Sequence, residues 1–437
     1  MRVFSPLRCV LLALSFARLC PAADNADAVR AMQAAREGAA AMETKDFSTA
    51  VGKLEASVEL RPDFPQLLLD LAQAQVGAER LDDAVVTLQR YAKLGLHSAI
   101  DKADEYAPLR SRKDFLAVAK QVAANLHPKG KGEIGFTLRD VTGLIEGIAW
   151  REKSGEFYFS DVHHRTVWTR NKDGTLKRFT PEGDELLGVF GLAVDEANGI
   201  LWAATAAVPA MRGYSPELAG TAALAEIDLQ TGTVRRSIPV PRIASSEATH
   251  VLSDVALASD GTVYVVDRGM PVVWRLPPGG QALERFAESP EFFGLQGIAV
   301  LPSGAALLAD QVNGILRLDL SRGSVVRLDA PPDTTLIEIK GLATAADGRV
   351  LALQTDLRPS RVLSLELDPS AESVSGVTVV ESGHLAMGAP SLGCIGTDGD
   401  LFFIGNAGWS RFSDSDAQAT PPRQVPIFRS KLAGPKK

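Results

Sequence analysis

Cysteine is scarce in this sequence, and its scarcity excludes a disulfide scaffold. Of the three cysteines in 437 residues, Cys9 and Cys20 lie near the N-terminus and Cys394 stands alone further along. If the first 23 residues are removed as a leader, no intramolecular disulfide can form. Cys394 lies in a short apolar segment, so we expect a buried, unreactive thiol rather than a nucleophile.

Several other features are missing, and each excludes a class of function. The sequence has 46 Lys and Arg against 53 Asp and Glu, a formal net charge of −7, so it lacks the basic excess of nucleic-acid binders. No apolar run reaches the roughly 20 residues that a membrane-spanning helix needs, and we expect no membrane span. Neither a Gly-x-x-x-x-Gly-Lys nucleotide loop nor a Gly-x-Ser-x-Gly nucleophile elbow occurs.

The N-terminus has the pattern of a secretory leader. Arg2 and Arg8 precede an apolar run from Cys9 to Cys20, which small residues follow. We therefore predict a signal peptide over residues 1–23 and export of the protein to the periplasm or beyond the cell. Removal of that leader takes three arginines and no acid from the chain, which leaves a net charge of −7 − 3 = −10.

Residues 24–96 show helical periodicity and repeat with an offset of 34 residues, the period of tetratricopeptide repeats, and we predict a tetratricopeptide-like helical domain over residues 24–127. The matching pairs are Phe47 with Leu81, Ala50 with Ala84, Leu54 with Leu88 and Leu60 with Leu94. The segment "KDFSTAVGKLEASVELRPD" resembles the second helix and closing proline of such a repeat, and residues 98–125 are predicted to add a capping helix. Two interpretations stay open: a helical packing domain without a ligand, or a groove for a protein partner.

After a predicted linker at residues 128–133, one pattern recurs six times. Each copy has a short apolar strand, a turn with glycine and a second apolar strand. The copies begin at Gly147, Gly191, Asp254, Gly297, Gly341 and Gly393, at intervals of 44, 63, 43, 44 and 52 residues. This spacing is typical of propeller blades. The sequence therefore predicts a multidomain chain, α then all-β, with a six-bladed β-propeller over residues 134–433 and a tail at 434–437.

One family resemblance is specific enough to name. The segment "EGIAWREKSGEFYFSDVHHRTVWTRNKDG" resembles the opening blade of the gluconolactonase, senescence-marker and luciferin-regenerating superfamily, and "RQVPIFRSKL" resembles its closing strand. The similarity covers about residues 135–432. It implies a six-bladed propeller with a divalent cation (Ca²⁺, Mg²⁺, Mn²⁺ or Zn²⁺) in the channel and hydrolysis of a lactone.

The family has four metal ligands, and this sequence retains one of them. Glu146 matches the first ligand, whereas the later positions hold Ser253, Gln296 and Lys340. The hydroxyl and amide offer neutral oxygens, but a charged lysine has no lone pair and cannot bind a cation. We therefore interpret the metal site as degenerate and expect Lys340 to pair with Glu146 across the channel.

Four further residues are candidates on the same end of the channel. Asp254 and His250 are candidate catalytic groups, each with a structural alternative: a turn carboxylate that accepts backbone amides, and a hydrogen-bonded structural histidine. An insertion at residues 206–222 carries Arg212 and Tyr214, which could contact an anionic or carbohydrate-like ligand if the insertion covers the channel. Asp161, which recurs as Asp267 and Asp310, is interpreted as a repeated structural turn.

These observations leave two functions from different classes. The first is an exported module that binds a small molecule in the propeller channel and a protein partner through its helical repeats. The second is a metal-assisted hydrolase of a lactone or related ester, with Glu146 as the metal or water ligand and Asp254 or His250 assisting. The sequence does not decide whether the protein is an enzyme.

Overall fold

The computed structural model describes residues 27–183, 185–241, 249–396, 398–412 and 421–432. The predicted signal peptide and the C-terminal tail lie outside these residues. No helix in the described part of the chain is long and apolar enough to cross a membrane.

The N-terminal part is helical, as its periodicity predicts. Its helices are α1 (Asp27–Glu43), α2 (Phe47–Leu60), α3 (Pro65–Gly77), α4 (Leu81–Lys93) and α5 (Lys113–Ala124), with a 3₁₀ turn at Asp104–Leu109. Helices α1 to α4 form two antiparallel pairs, and α5 packs on α4 as the predicted cap. Small residues such as Ala50, Ala72 and Ala84 are buried between them, which lets the helices approach closely.

The described residues then form six four-stranded antiparallel sheets. The first three blades are β2 (Ile145–Arg151), β3 (Glu156–Asp161), β4 (Thr166–Arg170), β5 (Leu176–Arg178); β6 (Gly188–Asp195), β7 (Ile200–Ala206), β8 (Ala222–Asp228), β9 (Val234–Pro239); and β10 (Leu252–Leu257), β11 (Val263–Asp267), β12 (Val272–Leu276), β13 (Glu284–Glu288). The next two are β14 (Leu295–Val300), β15 (Ala305–Asp310), β16 (Gly314–Asp319), β17 (Val325–Arg327); and β18 (Ile339–Thr344), β19 (Val350–Gln354), β20 (Arg361–Leu367), β21 (Val374–Ser382). The sixth joins β22 (Gly393–Ile395), β23 (Leu401–Ile404) and β24 (Arg423–Ser430) to β1 (Glu133–Val141).

The ring is closed by β1, which pairs with β24 at the outer edge of the sixth blade. The segment "RQVPIFRSKL" therefore supplies the third strand of that blade, and the outermost strand comes from the start of the propeller. The six predicted turn glycines between first and second strands all have positive φ, from +64° to +85°. Glycine accepts this conformation at little cost, which explains why it recurs there.

The antiparallel pairing places the functional candidates at one end of the channel. In the first blade Ile145, near the start of β2, pairs with Asp161 at the end of β3, and in the fifth Ile339 pairs with Gln354. The start of each inner strand and the loop after each second strand therefore lie at the same end of the ring. We call this the entry end.

The helical domain covers part of the entry end. Arg61, which caps the C-terminus of α2, donates to Val312 O at 2.8 Å and to Asn313 Oδ1 at 3.1 Å in the β15–β16 loop. On the fifth blade, the guanidinium of Arg361 donates to the backbone oxygen of Leu94 at 2.7 Å. Polar groups from both domains thus meet at a buried boundary over the fourth and fifth blades.

Candidate functional site

A cavity of about 870 Å³ lies between the helical domain and the entry end of the propeller. We call it the interdomain cavity. Its helical wall includes Met32, Phe64, Pro65, Gln66, Leu69, Tyr91, Leu96, His97 and Ser98. Its propeller wall includes Thr249, Val251, Arg268, Phe293, Gln296, Gln311, Val312, Ile337, Glu338, Ile339, Lys340, Asp356, Leu357, Arg358 and Trp409. The helical wall is mainly apolar, whereas the charged side chains are concentrated on the propeller wall.

Glu146, the best candidate from the sequence, has an aromatic partner. Its side chain is nearly buried at the start of β2, and its Oε2 accepts a hydrogen bond from Trp409 Nε1 at 2.6 Å. The indole ring stacks on Phe190 at the start of the second blade, with 6.1 Å between ring centroids. Trp409 also lines the interdomain cavity, so it connects the carboxylate to the cavity wall.

Lys340 lies in the cavity wall, but the predicted pair with Glu146 is wrong. The Lys340 ammonium lies 3.7 Å from Asp356 Oδ2, in the loop after the second strand of the same blade. Glu146 is engaged by the indole instead. Lys340 and Asp356 belong to adjacent strand ends of one blade, whereas pairing with Glu146 would require the lysine to reach another blade.

Glu338 and Asp356 share an unusual backbone conformation. Their φ values are +57° and +52°, a region that residues with a side chain seldom adopt. Backbone hydrogen bonds hold Glu338 there: its N donates to Gln311 O and its O accepts from Thr355 N, both at 3.0 Å. Such strained positions cluster at functional sites.

The Glu338 carboxyl titrates near neutrality. Burial raises its pKa to about 7, and the nearby Asp356 carboxylate acts in the same direction. A hydrogen bond from Gln311 and the charge of Lys340 oppose the rise only in part. The interdomain cavity therefore has one carboxyl group that can be protonated or ionised close to neutral pH.

This pKa leads to a stability prediction. Between the ordinary value of 4.5 and about 7, the folded protein binds a proton at Glu338 that the unfolded chain has released. This group's contribution to the free energy of unfolding therefore falls as pH rises through that window, by at most about 3 kcal/mol. We expect Glu338→Gln to remove this decline, measured as the difference between wild-type and variant denaturation curves from pH 4.5 to 8. Parallel pH profiles would contradict the assignment.

Arg268 was not among the candidates from the sequence. In the structure it lines the cavity. It follows directly after β11, and its guanidinium makes no hydrogen bond or ion pair with any other residue in the described ranges. The side chain is exposed to solvent, but enough protein surrounds it that burial lowers the pKa. The carboxylates of Glu146 and Asp356 oppose that change from a distance.

The remaining inner-strand candidates are divided between the cavity and the protein interior. Gln296 lines the cavity, whereas the Ser253 hydroxyl donates to Leu295 O at 3.1 Å. Asp254 is buried, and its carboxylate accepts from the backbone N of Val255 at 2.9 Å and of Ile298 at 3.1 Å. Burial nevertheless raises the pKa of Asp254 to about 7. These contacts match the structural alternative for Asp254, a carboxylate that connects two blades.

His250 has the contacts of a structural histidine. It is buried, its Nδ1 lies 2.6 Å from Asp267 Oδ2, and its ring meets Trp274 edge to face at 5.9 Å. Asp267 also accepts from the backbone N of Val251 at 3.0 Å. The histidine is thus fixed behind the cavity wall by the repeated aspartate of its blade.

The insertion between β7 and β8 lies at the entry end but does not form the cavity wall. Arg212 is exposed and Tyr214 half-buried, and neither contributes to the cavity lining. The insertion packs on the first two blades instead: Arg212 N donates to His163 O of the first blade at 2.9 Å, and Gly188 N of the second blade donates to Met211 Sδ at 3.1 Å. The lid over the cavity is the helical domain.

Comparison with known proteins identifies the helical part. Residues 41–101 match the tetratricopeptide repeat family. No curated protein matches the chain in sequence. The match thus runs from the last residues of α1 through the end of α4, the segment that meets the propeller.

The propeller resembles several solved structures at low sequence identity. Virginiamycin B lyase from Staphylococcus aureus is 15% identical, over 63% of this chain and 82% of its own, with a TM-score of 0.43. A gluconolactonase from Xanthomonas campestris, XC5397, is 18% identical, over 67% and 88%, with a TM-score of 0.44. The luciferin-regenerating enzyme is 14% identical, over 68% and 95%, with a TM-score of 0.45. The activities in these names are those of the matched proteins.

A divalent cation does not fit the side chains at the entry end. One oxygen of Glu146 already accepts an indole N–H, and the Ser253 hydroxyl donates to a backbone carbonyl. Lys340 places a positive charge at one of the four implied ligand positions, and the charge of Arg268 interacts with that of Glu146. Among the residues with a described placement, no three or more His, Cys, Asp or Glu are grouped to hold a metal ion.

Two charged residues of the cavity wall, Glu338 and Arg268, could have been found by extending the register of the repeat. Glu338 stands two residues before Lys340, where the other copies have apolar residues, glycine or proline, and Arg268 directly follows the recurrent aspartate. A charge at either position is therefore an exception to the pattern. Trp409 lies outside the repeated strands, in a 3₁₀ turn before β24, and no periodic signal marks it.

Proposed function

We propose that the protein binds a small molecule in the interdomain cavity, with the tetratricopeptide repeats as its roof. The observation that carries this proposal is a cavity of about 870 Å³ whose wall is built by both domains. Ligand sites are typically clefts of about 300–1,000 Å³, commonly at domain boundaries, with apolar walls and a few polar groups. In this proposal the apolar helical wall contacts the body of the ligand, and the charged propeller wall orients it.

The proposal assigns a role to each domain. The propeller supplies a rigid floor, because its inner strands are fixed by ladders of backbone hydrogen bonds. The tetratricopeptide repeats use one face to cover that floor, so a protein partner would bind on a face turned away from the cavity. Partner binding stays a prediction, as does export by the leader at residues 1–23, which cell fractionation and N-terminal sequencing of the mature chain would test.

A variant that fills the cavity tests the proposal. Leu69 on α3 is half-buried in the cavity wall, and we expect Leu69→Trp to raise the Kd of a bound alkyl probe at least about 10-fold by occupying its volume. Octanoate, octyl phosphate, octanamide and octanol serve as probes, with binding measured by calorimetry on the full chain. Leu116→Trp is the matched control, because Leu116 is 52% exposed on α5, away from the cavity. Failure of every probe to bind, or equal binding by both variants, would contradict the proposal.

Hydrolysis of an ester or lactone is the second candidate, and one feature favours it. Glu338 faces the cavity with a pKa of about 7, which suits a group that transfers protons near neutral pH. Asp356, in the same strained conformation, lies next to it. Turnover of an ester or lactone by the wild type that is lost in both Glu338→Gln and Glu146→Gln would favour the enzyme over the binding protein.

A further inference from the structure

Arg268 differs from Arg61 and Arg361, the two buried arginines at the domain boundary. The guanidinium of Arg61 binds Asp63 and Asn313, and that of Arg361 binds Gln354 Oε1 and Leu94 O. Arg268 has no such partner in the described part of the chain. Its side chain is exposed to the solvent of the cavity, so water can hydrate the guanidinium and its donors stay accessible to an entering ligand.

The two carboxylates whose charge acts on Arg268 are already engaged by other groups. Glu146 accepts the Trp409 indole, and Asp356 lies beside the Lys340 ammonium. Both carboxylates act on Arg268 through their charge, but neither forms an ion pair with it. The five N–H donors of the guanidinium therefore remain available to a group that enters the cavity.

The backbone positions Arg268 for this role. Its amide N donates to Val251 O at 2.8 Å, which fixes the residue directly after β11. The next residue, Gly269, has its Cα so close to Thr249 that a Cβ there would lie 1.7 Å from Thr249 O. The turn that carries Arg268 is therefore tightly packed, and the long side chain projects from a rigid support.

The opposite wall has a different chemistry. Phe64, Leu69 and Leu96 of the helical domain line the cavity with apolar surface. A ligand that binds both the guanidinium of Arg268 and the apolar helical wall carries an anionic group at one end and an apolar body at the other. Guanidinium groups bind carboxylates and phosphates through two parallel hydrogen bonds, which gives direction as well as affinity.

We propose that Arg268 binds the anionic head of an amphipathic ligand, a carboxylate or a phosphate, whose apolar body lies against the helical roof. This inference rests on the proposed function, since it names the ligand class of the same cavity. Arg268 is then a recognition residue, and its lack of a partner among the described residues is the state before binding.

The four alkyl probes test this inference directly. We expect octanoate or octyl phosphate to bind the wild type more tightly than octanamide and octanol, and Arg268→Gln to weaken the anionic probes about 10- to 100-fold while leaving the neutral ones unchanged. Comparison of octanoate with octyl phosphate tells which anion the site prefers. Arg268→Lys should recover part of the loss. Arg275→Gln, which removes an arginine of the same blade paired with Glu284 outside the cavity, should change nothing.

The outcomes separate the two proposals. If all four probes bind alike and Leu69→Trp weakens them all, the cavity is a binding site and the role of Arg268 is overturned. If no probe binds, both proposals fail. Stability gives an independent readout: a recognition arginine without a partner predicts that Arg268→Met unfolds at the same or higher denaturant concentration than wild type. A clear loss of stability in that variant would overturn the inference in favour of a structural counter-charge.

Discussion

Asp63→Asn is expected to lower the free energy of unfolding by about 3 kcal/mol, because it leaves a buried guanidinium without its counter-charge. Arg61 is 2% exposed, and its Nε and Nη2 donate to the two oxygens of Asp63 at 2.9 and 3.1 Å. Arg327, from the fourth blade, reaches the same carboxylate at 3.2 Å. The amide of asparagine would turn donors toward two cations.

The electrostatics of Asp63 support this expectation. Burial alone would raise its pKa, yet the charges of Arg61 and then Arg327 hold the pKa of the carboxyl below its ordinary value. The pair also orders the domain boundary, since the same guanidinium continues to Val312 O and Asn313 Oδ1 of the propeller. Loss of Asp63 should therefore loosen the helical roof as well as destabilise the chain.

The measurement is denaturant unfolding of the full chain, followed by far-UV circular dichroism for the helices and by fluorescence for the propeller. Asp83→Asn is the matched control, because Asp83 pairs with Arg80 at 2.7 Å while both side chains are roughly half exposed. Exposed pairs contribute little, so the control should unfold close to wild type. If both substitutions have the same small effect, the buried cluster does not hold the domains together.

The blades could be predicted from the sequence because the same pattern of strands and turn recurs in every blade. Each copy shows two apolar strands and a turn glycine, and the register of one copy places the others. Gln296 and Lys340, which occupy the same position in successive copies, both line the cavity. The offset of 34 residues revealed the helix pairs for the same reason. Repeated structural units can be predicted from the sequence because each unit needs the same residue types at the same positions.

Contacts between distant segments, including those that join the two domains, could not be predicted in this way. Arg61 and Asn313 are 252 positions apart, and Glu146 and Trp409 are 263 apart. In sequence, Arg61 is an ordinary residue at a helix end. Asp356, the partner of Lys340, has a positive φ, and no glycine in the sequence indicates that conformation there. Contacts that arise once, between distant segments, leave no pattern.

Asp267→Ala is expected to destabilise the propeller by at least about 3 kcal/mol, since it leaves several buried donors without an acceptor. The carboxylate is fully buried and accepts from Val251 N at 3.0 Å, Gly269 N at 3.0 Å and Trp274 Nε1 at 3.2 Å. It also holds His250 at 2.6 Å. Thermal unfolding of the variant, followed by tryptophan fluorescence, measures the effect.

An exposed aspartate that also accepts backbone amides serves as the control. It shows whether the loss of stability comes from the hydrogen bonds themselves or from their burial. Asp319 accepts from Ser321 N at 2.8 Å and Arg322 N at 3.1 Å, but in an exposed turn, where water can replace it. Asp319→Ala should therefore unfold close to wild type. Asp310, at the repeat position of Asp267, accepts four backbone amides and should respond as Asp267 does. Equal losses for Asp267→Ala and Asp319→Ala would mean that the repeated aspartate does not organise the entry end, and that the turn beneath Arg268 is fixed by other contacts.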